Sequence, residues 1–272
     1  MKLTVLLKLL LFIMLLAACE NVETIESDLP YTELYVVSGQ ISHGDINPEI
    51  RFTKTLELNR IYDINEAELK NVVTYIKNEE QGIFPLEYIA EGIYQPLARL
   101  EILPGRTYEL FAEYNGNRMY ASTKAPANPV VVNAELVEGH IVCEVSAKEN
   151  EVYCCIYVLV QGLNLGNPNI VEREGDFFTV EGPFGRDPQN IIVRTGVVPE
   201  EYRQQMRDYN LGVEVYAWDQ SYKNYFETKN NNKPIEDIFS EGGGSINWNV
   251  AGDNTIGMFI GFSTTVYLDI IK

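Results

Sequence analysis

The stretch from Thr107 to Thr123 constrains the fold more than any other part of this chain. Tyr108, Leu110, Ala112 and Tyr114 alternate with Thr107, Glu109, Phe111 and Glu113, which makes one apolar face of a half-buried strand. Asn115-Gly116 then supplies the two positive-φ positions of a type I′ turn, and Arg118 to Thr123 returns as the partner strand.

The same grammar recurs along the chain. Leu34 to Ile41, Ile50 to Thr53 and Val72 to Ile76 are short apolar runs bounded by turn residues. Val130-Val131-Val132 opens a second region, in which Ile141–Val145 and Val152–Val160 are expected to form a hairpin about Ser146 to Glu151. The run from Val152 to Val160 is apolar without a break, so it should be a central strand buried on both faces. Phe177 to Val180, Ile191 to Arg194, Leu211 to Trp218, Gly257 to Phe262 and Thr265 to Ile270 complete the expected strands. Seventeen tyrosines and eleven phenylalanines supply apolar area for real cores and favour strands over helices. Two helical exceptions are expected. Asn65 to Leu69 suits a single turn, and Pro199 to Tyr209 suits a short helix, with Glu200 and Glu201 in its first turn and Tyr202, Met206 and Tyr209 at helical spacing.

Ile102-Leu103-Pro104-Gly105-Arg106-Thr107-Tyr108 resembles the corner of fibronectin type III-like sandwiches, with Ile102 in the leucine position. The resemblance implies a structural role for Tyr108, whose hydroxyl would bond back to backbone a few residues upstream. The prolines of Lys124-Ala125-Pro126-Ala127-Asn128-Pro129 then mark a stiff linker. The expected fold class is all-β, with two tandem β-sandwich domains, the first immunoglobulin-like over residues 33–126 and the second over residues 127–272 with one short helix.

Ahead of both lies a leader. Met1-Lys2 is a short positive start, the run to Ala18 is apolar apart from Thr4 and Lys8, and small residues precede a cysteine. Leu16-Ala17-Ala18-Cys19 resembles the lipobox of bacterial lipoproteins, which implies a signal peptide over residues 1–18 and lipid attachment at Cys19. Several acyl chains would anchor the chain far more durably than one. Residues 19–32 are an acidic tether, and Glu20, Glu23, Glu26 and Asp28 in it could also serve as a surface-export signal. Loss of Lys2 and Lys8 with the leader takes the net charge from −18 to −20. Such a surface repels nucleic acid and anionic lipid, so attachment to the membrane must come from the N-terminal lipid.

Residue patterns that carry chemistry are sparse. Beyond the anchor, Cys143 falls opposite Cys154 or Cys155 if the expected hairpin forms, and a disulfide and three small buried apolar residues are both open readings. Cys154 and Cys155 point to opposite faces, so at most one can pair with Cys143. His43 and His140 are the only histidines, and neither sits in a metal-ligand pattern. No Gly-x-Ser-x-Gly elbow occurs, and Gly242-Gly243-Gly244-Ser245 lacks the lysine and spacing of a phosphate loop. Asp45, Asn47 and Glu49 alternate as calcium ligands can, or form a solvated turn. Trp218, Tyr222 and Trp248 are a candidate platform for sugar or peptide, with core packing as the alternative. No catalytic residue, metal site or cofactor is expected.

The order of these pieces resembles the Bacteroidetes lipoproteins of domain-of-unknown-function family forty-two forty-nine. The resemblance runs through Cys19, Leu34-Tyr35-Val36-Val37-Ser38-Gly39-Gln40-Ile41, Phe52-Thr53-Lys54-Thr55 and Gly92-Ile93-Tyr94. It continues through Pro104-Gly105-Arg106-Thr107-Tyr108-Glu109-Leu110, Tyr120-Ala121-Ser122-Thr123, Asn247-Trp248-Asn249-Val250-Ala251-Gly252 and Gly257-Met258-Phe259-Ile260-Gly261. It implies an outer-membrane lipoprotein, periplasmic or extracellular, with a non-catalytic binding or accessory role, assisting a TonB-dependent receptor in uptake. A surface hydrolase acting on glycan or peptide, or an adhesive component, is the alternative.

Overall fold

Asn115 and Gly116 carry φ values of +50° and +82°, and the strands they join pair without a bulge from Thr107↔Lys124 to Tyr114↔Asn117. Both residues are in the left-handed region that a two-residue hairpin needs. The computed structural model describes residues 31–57, 60–161, 169–174, 180–182, 189–203, 209–223, 225 and 247–270.

The chain is all-β and sandwich-like. Its first strands are β1 (Tyr35–Ser42), β2 (Ile50–Lys54), β3 (Val73–Asn78), β4 (Gly82–Ala90), β5 (Ile93–Pro96), β6 (Thr107–Tyr114) and β7 (Asn117–Lys124). Between β2 and β3 lies α1 (Ile64–Ala67), capped by the Asp63 carboxylate accepting from the Asn65 N–H at 2.9 Å. The next strands are β8 (Val130–Val137), β9 (His140–Ala147), β10 (Glu151–Gln161), β11 (Asn169–Glu174), β12 (Val180–Glu181) and β13 (Gln189–Arg194). After α2 (Glu200–Arg203) come β14 (Tyr209–Asp219), β15 (Ala251–Gly252) and β16 (Thr255–Tyr267).

Among the described residues, one large sheet runs β11-β10-β14-β16-β1-β2-β5-β4-β3-β6-β7-β15, with β12 also paired to β10, and a small sheet runs β13-β9-β8. The large sheet curls. Its last strand, β15, immediately precedes β16 in the chain, and the Gly261 N–H of β16 donates to Thr123 Oγ1 of β7 at 2.7 Å. The sheet therefore comes round onto itself about a first core that includes Phe52, Tyr94, Ile102, Tyr108, Leu110 and Phe259. A second core lies between the other end of the sheet and the small sheet, and holds Ile141, Cys143, Val145, Tyr153, Cys155 and Val215.

β16 joins the two. Its first half pairs parallel with β1, from Tyr35↔Thr255 to Ser42↔Phe262, and its second half pairs antiparallel with β14, from Trp218↔Phe262 to Val213↔Tyr267. The expected division at Pro126 is crossed by this strand, because its Phe259 packs in the first core and its Tyr267 against the second. The linker lies along β16, where Ser263 Oγ donates to the Ala127 carbonyl at 2.7 Å and Thr265 Oγ1 to the Pro129 carbonyl at 2.8 Å. Those hydroxyls explain why Gly257–Phe262 and Thr265–Ile270, expected as separate strands, form one strand ending at Tyr267.

Two other expectations are corrected. β9 and β10 are not a hairpin: β9 pairs with β8 about Glu138-Gly139, whose φ values are +49° and +86°, and with β13. β10, apolar on both faces, is claimed by β14 along its whole length, so the chain crosses between sheets after Ala147. Tyr209, expected to end a helix, instead opens β14. β4 and β5 went unforeseen as strands.

Candidate functional site

β3, β6 and β7 each place an aromatic residue on the outer face of the large sheet. Tyr75 stands opposite Phe111, and Phe111 opposite Tyr120. Directly opposed residues share a face, so the three form a cross-strand row. It extends to Pro85 of β4 at one end and Ala251 of β15 at the other. The Tyr75 and Phe111 rings stack at 5.0 Å with 19° between their planes, and Phe111 meets Tyr120 at 4.9 Å and 55°. Val73 is 74% exposed and Tyr120 38%, and together with the row they line an open groove of about 490 Å³.

Charges flank the row in the neighbouring registers. On one side Lys77 Nζ contacts Glu109 Oε2 at 2.9 Å, and the Tyr120 hydroxyl donates to Glu109 Oε1 at 2.9 Å. Lys77's hydrogen bond, then Tyr120's, holds the Glu109 carboxyl below the usual range, while Glu109 pushes Lys77 up. On the other side Arg118 Nε lies 3.3 Å from Glu113 Oε2. Surface pairs like these add little stability, but they hold the polar rim around the aromatic strip in fixed register. The row was legible as an anomaly: Phe111 sits among Thr107, Glu109 and Glu113 on the face that strand alternation assigns to solvent.

Trp218, Tyr222 and Trp248 are brought into one aromatic cluster, in a different setting. Trp218 is 6% exposed and stacks on Tyr222 at 4.1 Å, Phe262 at 4.9 Å and Tyr216 at 5.8 Å, which leaves little ring for a ligand. Tyr222 reaches Trp248 through Tyr225, at 6.2 Å and 5.5 Å. Trp248 is the exposed member, at 36%. The Trp218 Nε1–H has no regular hydrogen-bond partner among the described residues. Its neighbour is the Cys154 thiol, a weak acceptor.

The Tyr108 ring is buried in the first core. Its hydroxyl accepts from the Leu103 N–H at 2.7 Å and donates to Gln81 Oε1 at 3.0 Å. A second tyrosine repeats the geometry. The Tyr153 hydroxyl accepts from the Lys148 N–H at 2.9 Å and donates to Glu151 Oε2 at 2.5 Å. Its pKa is driven upward, first by burial and then by that carboxylate. The tyrosine signal was there at Tyr153, but without the Pro-Gly turn that marked Tyr108.

Asp45, Asn47 and Glu49 spend their oxygens on the protein. Asp45 Oδ2 accepts from the Ser42 N–H at 2.6 Å, Asn47 Oδ1 from the Leu100 N–H at 2.9 Å, and Glu49 Oε1 from Gln95 Nε2 at 2.9 Å. Among the described residues no three His, Cys, Asp or Glu side chains gather as a metal site. The buried carboxylates are similarly engaged: Glu214 receives Arg173 Nε at 2.7 Å and the Tyr216 hydroxyl at 2.8 Å, and Glu68 binds Lys70 and Tyr88. His43 Nδ1 lies 2.9 Å from Asn128 Oδ1, and His140 Nδ1 lies 2.9 Å from the Thr195 carbonyl. Cys143, Cys154 and Cys155 are buried thiols. Cys19, most of the acidic tether and Gly242 to Ser245 lie outside the described residues.

No protein-family model matches the sequence, and comparison with curated proteins found no relative. Among solved structures, the chain is similar to a DUF4785 family protein of Legionella pneumophila at 12% identity and a TM-score of 0.24, covering 66% of this chain and 50% of that one. It is also similar to a Salmonella alpha-2-macroglobulin at 9% identity and a TM-score of 0.22, covering 69% of this chain and 14% of that one. The chain thus spans half the length of the first and a smaller share of the second. Likenesses this distant leave the site to its own geometry.

Proposed function

We propose that this chain is a non-catalytic lipoprotein of the cell envelope, held in the outer membrane by acyl chains on Cys19, which docks a protein partner on the Tyr75–Phe111–Tyr120 face. A TonB-dependent receptor is the partner we put forward, and the role is accessory to uptake. The observation that carries the docking reading is the exposed aromatic row with fixed charges on both sides. Aromatic centres with polar rims are the anatomy of protein interfaces. A protein fits better than a glycan, because a sugar stacks on an open ring face and Tyr75 and Phe111 already turn faces toward each other.

Two experiments on the full-length chain in its own membranes test the reading. Chemical cross-linking followed by tagged purification should capture a TonB-dependent receptor with the wild-type chain. The Phe111→Ser, Tyr120→Ser double variant should lose it, and Trp248→Ser should keep it. Equal capture by wild type and double variant would refute the docking face, and retention of polysaccharide by the row would favour a glycan partner. For the anchor, Cys19→Ala should release the chain from the membrane fraction with its fold intact, since Cys19 lies outside the compact unit Glu33–Lys272.

A further inference from the structure

The second core brings two cysteines together that no hydrogen-bonded ladder joins. β9 belongs to the small sheet and β10 to the large one, and the chain passes between them through a turn at Lys148 to Asn150. Strands joined this way face each other through side chains rather than through backbone hydrogen bonds. Cys143 on β9 and Cys155 on β10 are equally far from Glu149 along the chain, and both face the core between the two sheets. Both are fully buried in the same cluster, among Ile141, Val145, Tyr153 and Tyr157. Cys154 points the other way, into a separate cluster with Val152, Trp218 and Ile260. The Cys143 thiol is the side chain that acts most strongly on the Cys155 thiol. Two packed sheets can be bridged by a disulfide, as the inter-sheet bond of antibody domains does.

We propose that Cys143 and Cys155 close into a disulfide that staples the small sheet to the large one, and that Cys154 stays a thiol. The oxidant is a disulfide of the glutathione class. One cysteine thiolate attacks a glutathione sulfur, which forms a mixed disulfide and releases one glutathione thiol. The second cysteine then attacks the mixed disulfide, forms the Cys143–Cys155 bond and releases the second thiol. The protein loses two hydrogens and the oxidant gains them. Closure belongs to folding rather than to the finished protein. In the native core the thiols are shut away from a bulky oxidant, and the bond that the Cys155 thiol makes to Cys143, then burial, pushes Cys155 upward and starves it of thiolate.

The test unfolds and reduces the full-length chain, then refolds it with glutathione disulfide, with tryptophan fluorescence reporting the native state. Trypsin cuts after Lys124, Lys148 and Arg173, so Cys143 leaves on residues 125–148, and Cys154 and Cys155 leave together on 149–173. The unreduced digest should contain these two peptides joined, lighter than their sum by two hydrogens. Fragment ions that break between Cys154 and Cys155 assign the sulfur in the wild-type chain. The link should survive Cys154→Ala and vanish in Cys155→Ala. Native refolded chain with three unlinked thiols, a link through Cys154, or glutathione adducts in place of the cross-link would overturn the proposal.

Discussion

Asn249 clamps Phe259 by its backbone: the Phe259 N–H donates to Asn249 Oδ1 at 2.8 Å, and Asn249 Nδ2 donates to the Phe259 carbonyl at 2.6 Å. β16 pairs with β1 on one side along this stretch, but its pairing with β14 begins only at Phe262. The asparagine amide therefore stands in for a missing strand, and it fixes Phe259 where its ring fills the first core.

Asn249→Ala should consequently strip both partners from a buried backbone unit. A loss of about 2–4 kcal/mol is expected, the penalty of a buried donor and acceptor left unmade. Urea unfolding of wild type and variant measures it. A change within about 0.5 kcal/mol, the range of ordinary surface substitutions, would mean that the clamp is dispensable.

The two buried tyrosines separate a neutral hydrogen bond from a charged one. Tyr108→Phe removes the contact to the Leu103 N–H and frees only an amide on Gln81, so it should cost about 1–2 kcal/mol. Tyr153→Phe leaves the buried Glu151 carboxylate with Lys124 Nζ at 3.9 Å as its remaining ionic partner. It should cost more, about 2–4 kcal/mol. Denaturant midpoints of the two variants should fall in that order, and the reverse order would show that the Tyr153–Glu151 bond is the weaker of the two.

How much of this was readable beforehand follows from where the information sits. The Asn115-Gly116 hairpin and the central position of β10 are local, written in two turn residues and one unbroken apolar run. The β9–β10 connection was misread because a hairpin and a crossing between sheets leave the same alternating pattern. Only the choice of hydrogen-bond partner separates them, and Val193 and Ala134 hold Cys143's strand on both sides. The parallel pairing of β1 with β16 joins the two ends of the chain, and no window of sequence contains both. Ser263 and Thr264 read as a break between two strands because the carbonyls that hold this stretch, Ala127 for Ser263 and Pro129 for Thr265, lie far away along the chain. The aromatic row was visible residue by residue, but its register was not.

Stability should fall in acid through Glu68. Lys70's hydrogen bond, followed by Tyr88's, holds its carboxyl below the usual range. A lowered folded pKa adds stability that is complete above the unfolded value of about 4.3 and is lost as pH falls through the folded value. Tyr88→Phe keeps the ring against Tyr94 and deletes the hydroxyl. The drop in urea midpoint between pH 7 and pH 3 should therefore be smaller in the variant. An unchanged drop would assign the acid sensitivity to other carboxylates.

Glycines in β16 make the sharpest prediction, because they mark where backbones touch. A Cβ on Gly257 would run into the Val37 carbonyl of β1, and one on Gly261 into the Lys124 carbonyl at the end of β7. Neither carbonyl can step aside, since each belongs to main chain already pinned by neighbouring strands. Gly257 also has a φ of +133°, which an alanine adopts only with strain. Gly105 is the matched control, with a φ of +75° and open space where its Cβ would stand. Gly105→Ala should cost about 1 kcal/mol, the conformational penalty alone. Gly257→Ala and Gly261→Ala should each exceed about 3 kcal/mol, and β16 should lift from β1 or from the linker. Thermal and urea unfolding of the three variants, with hydrogen exchange at Val37 and Thr123, reads both the size and the place of the damage. Equal, small losses at all three positions would mean that β16 does not approach its neighbours as closely as described, and the joint between the two cores would have to be redrawn.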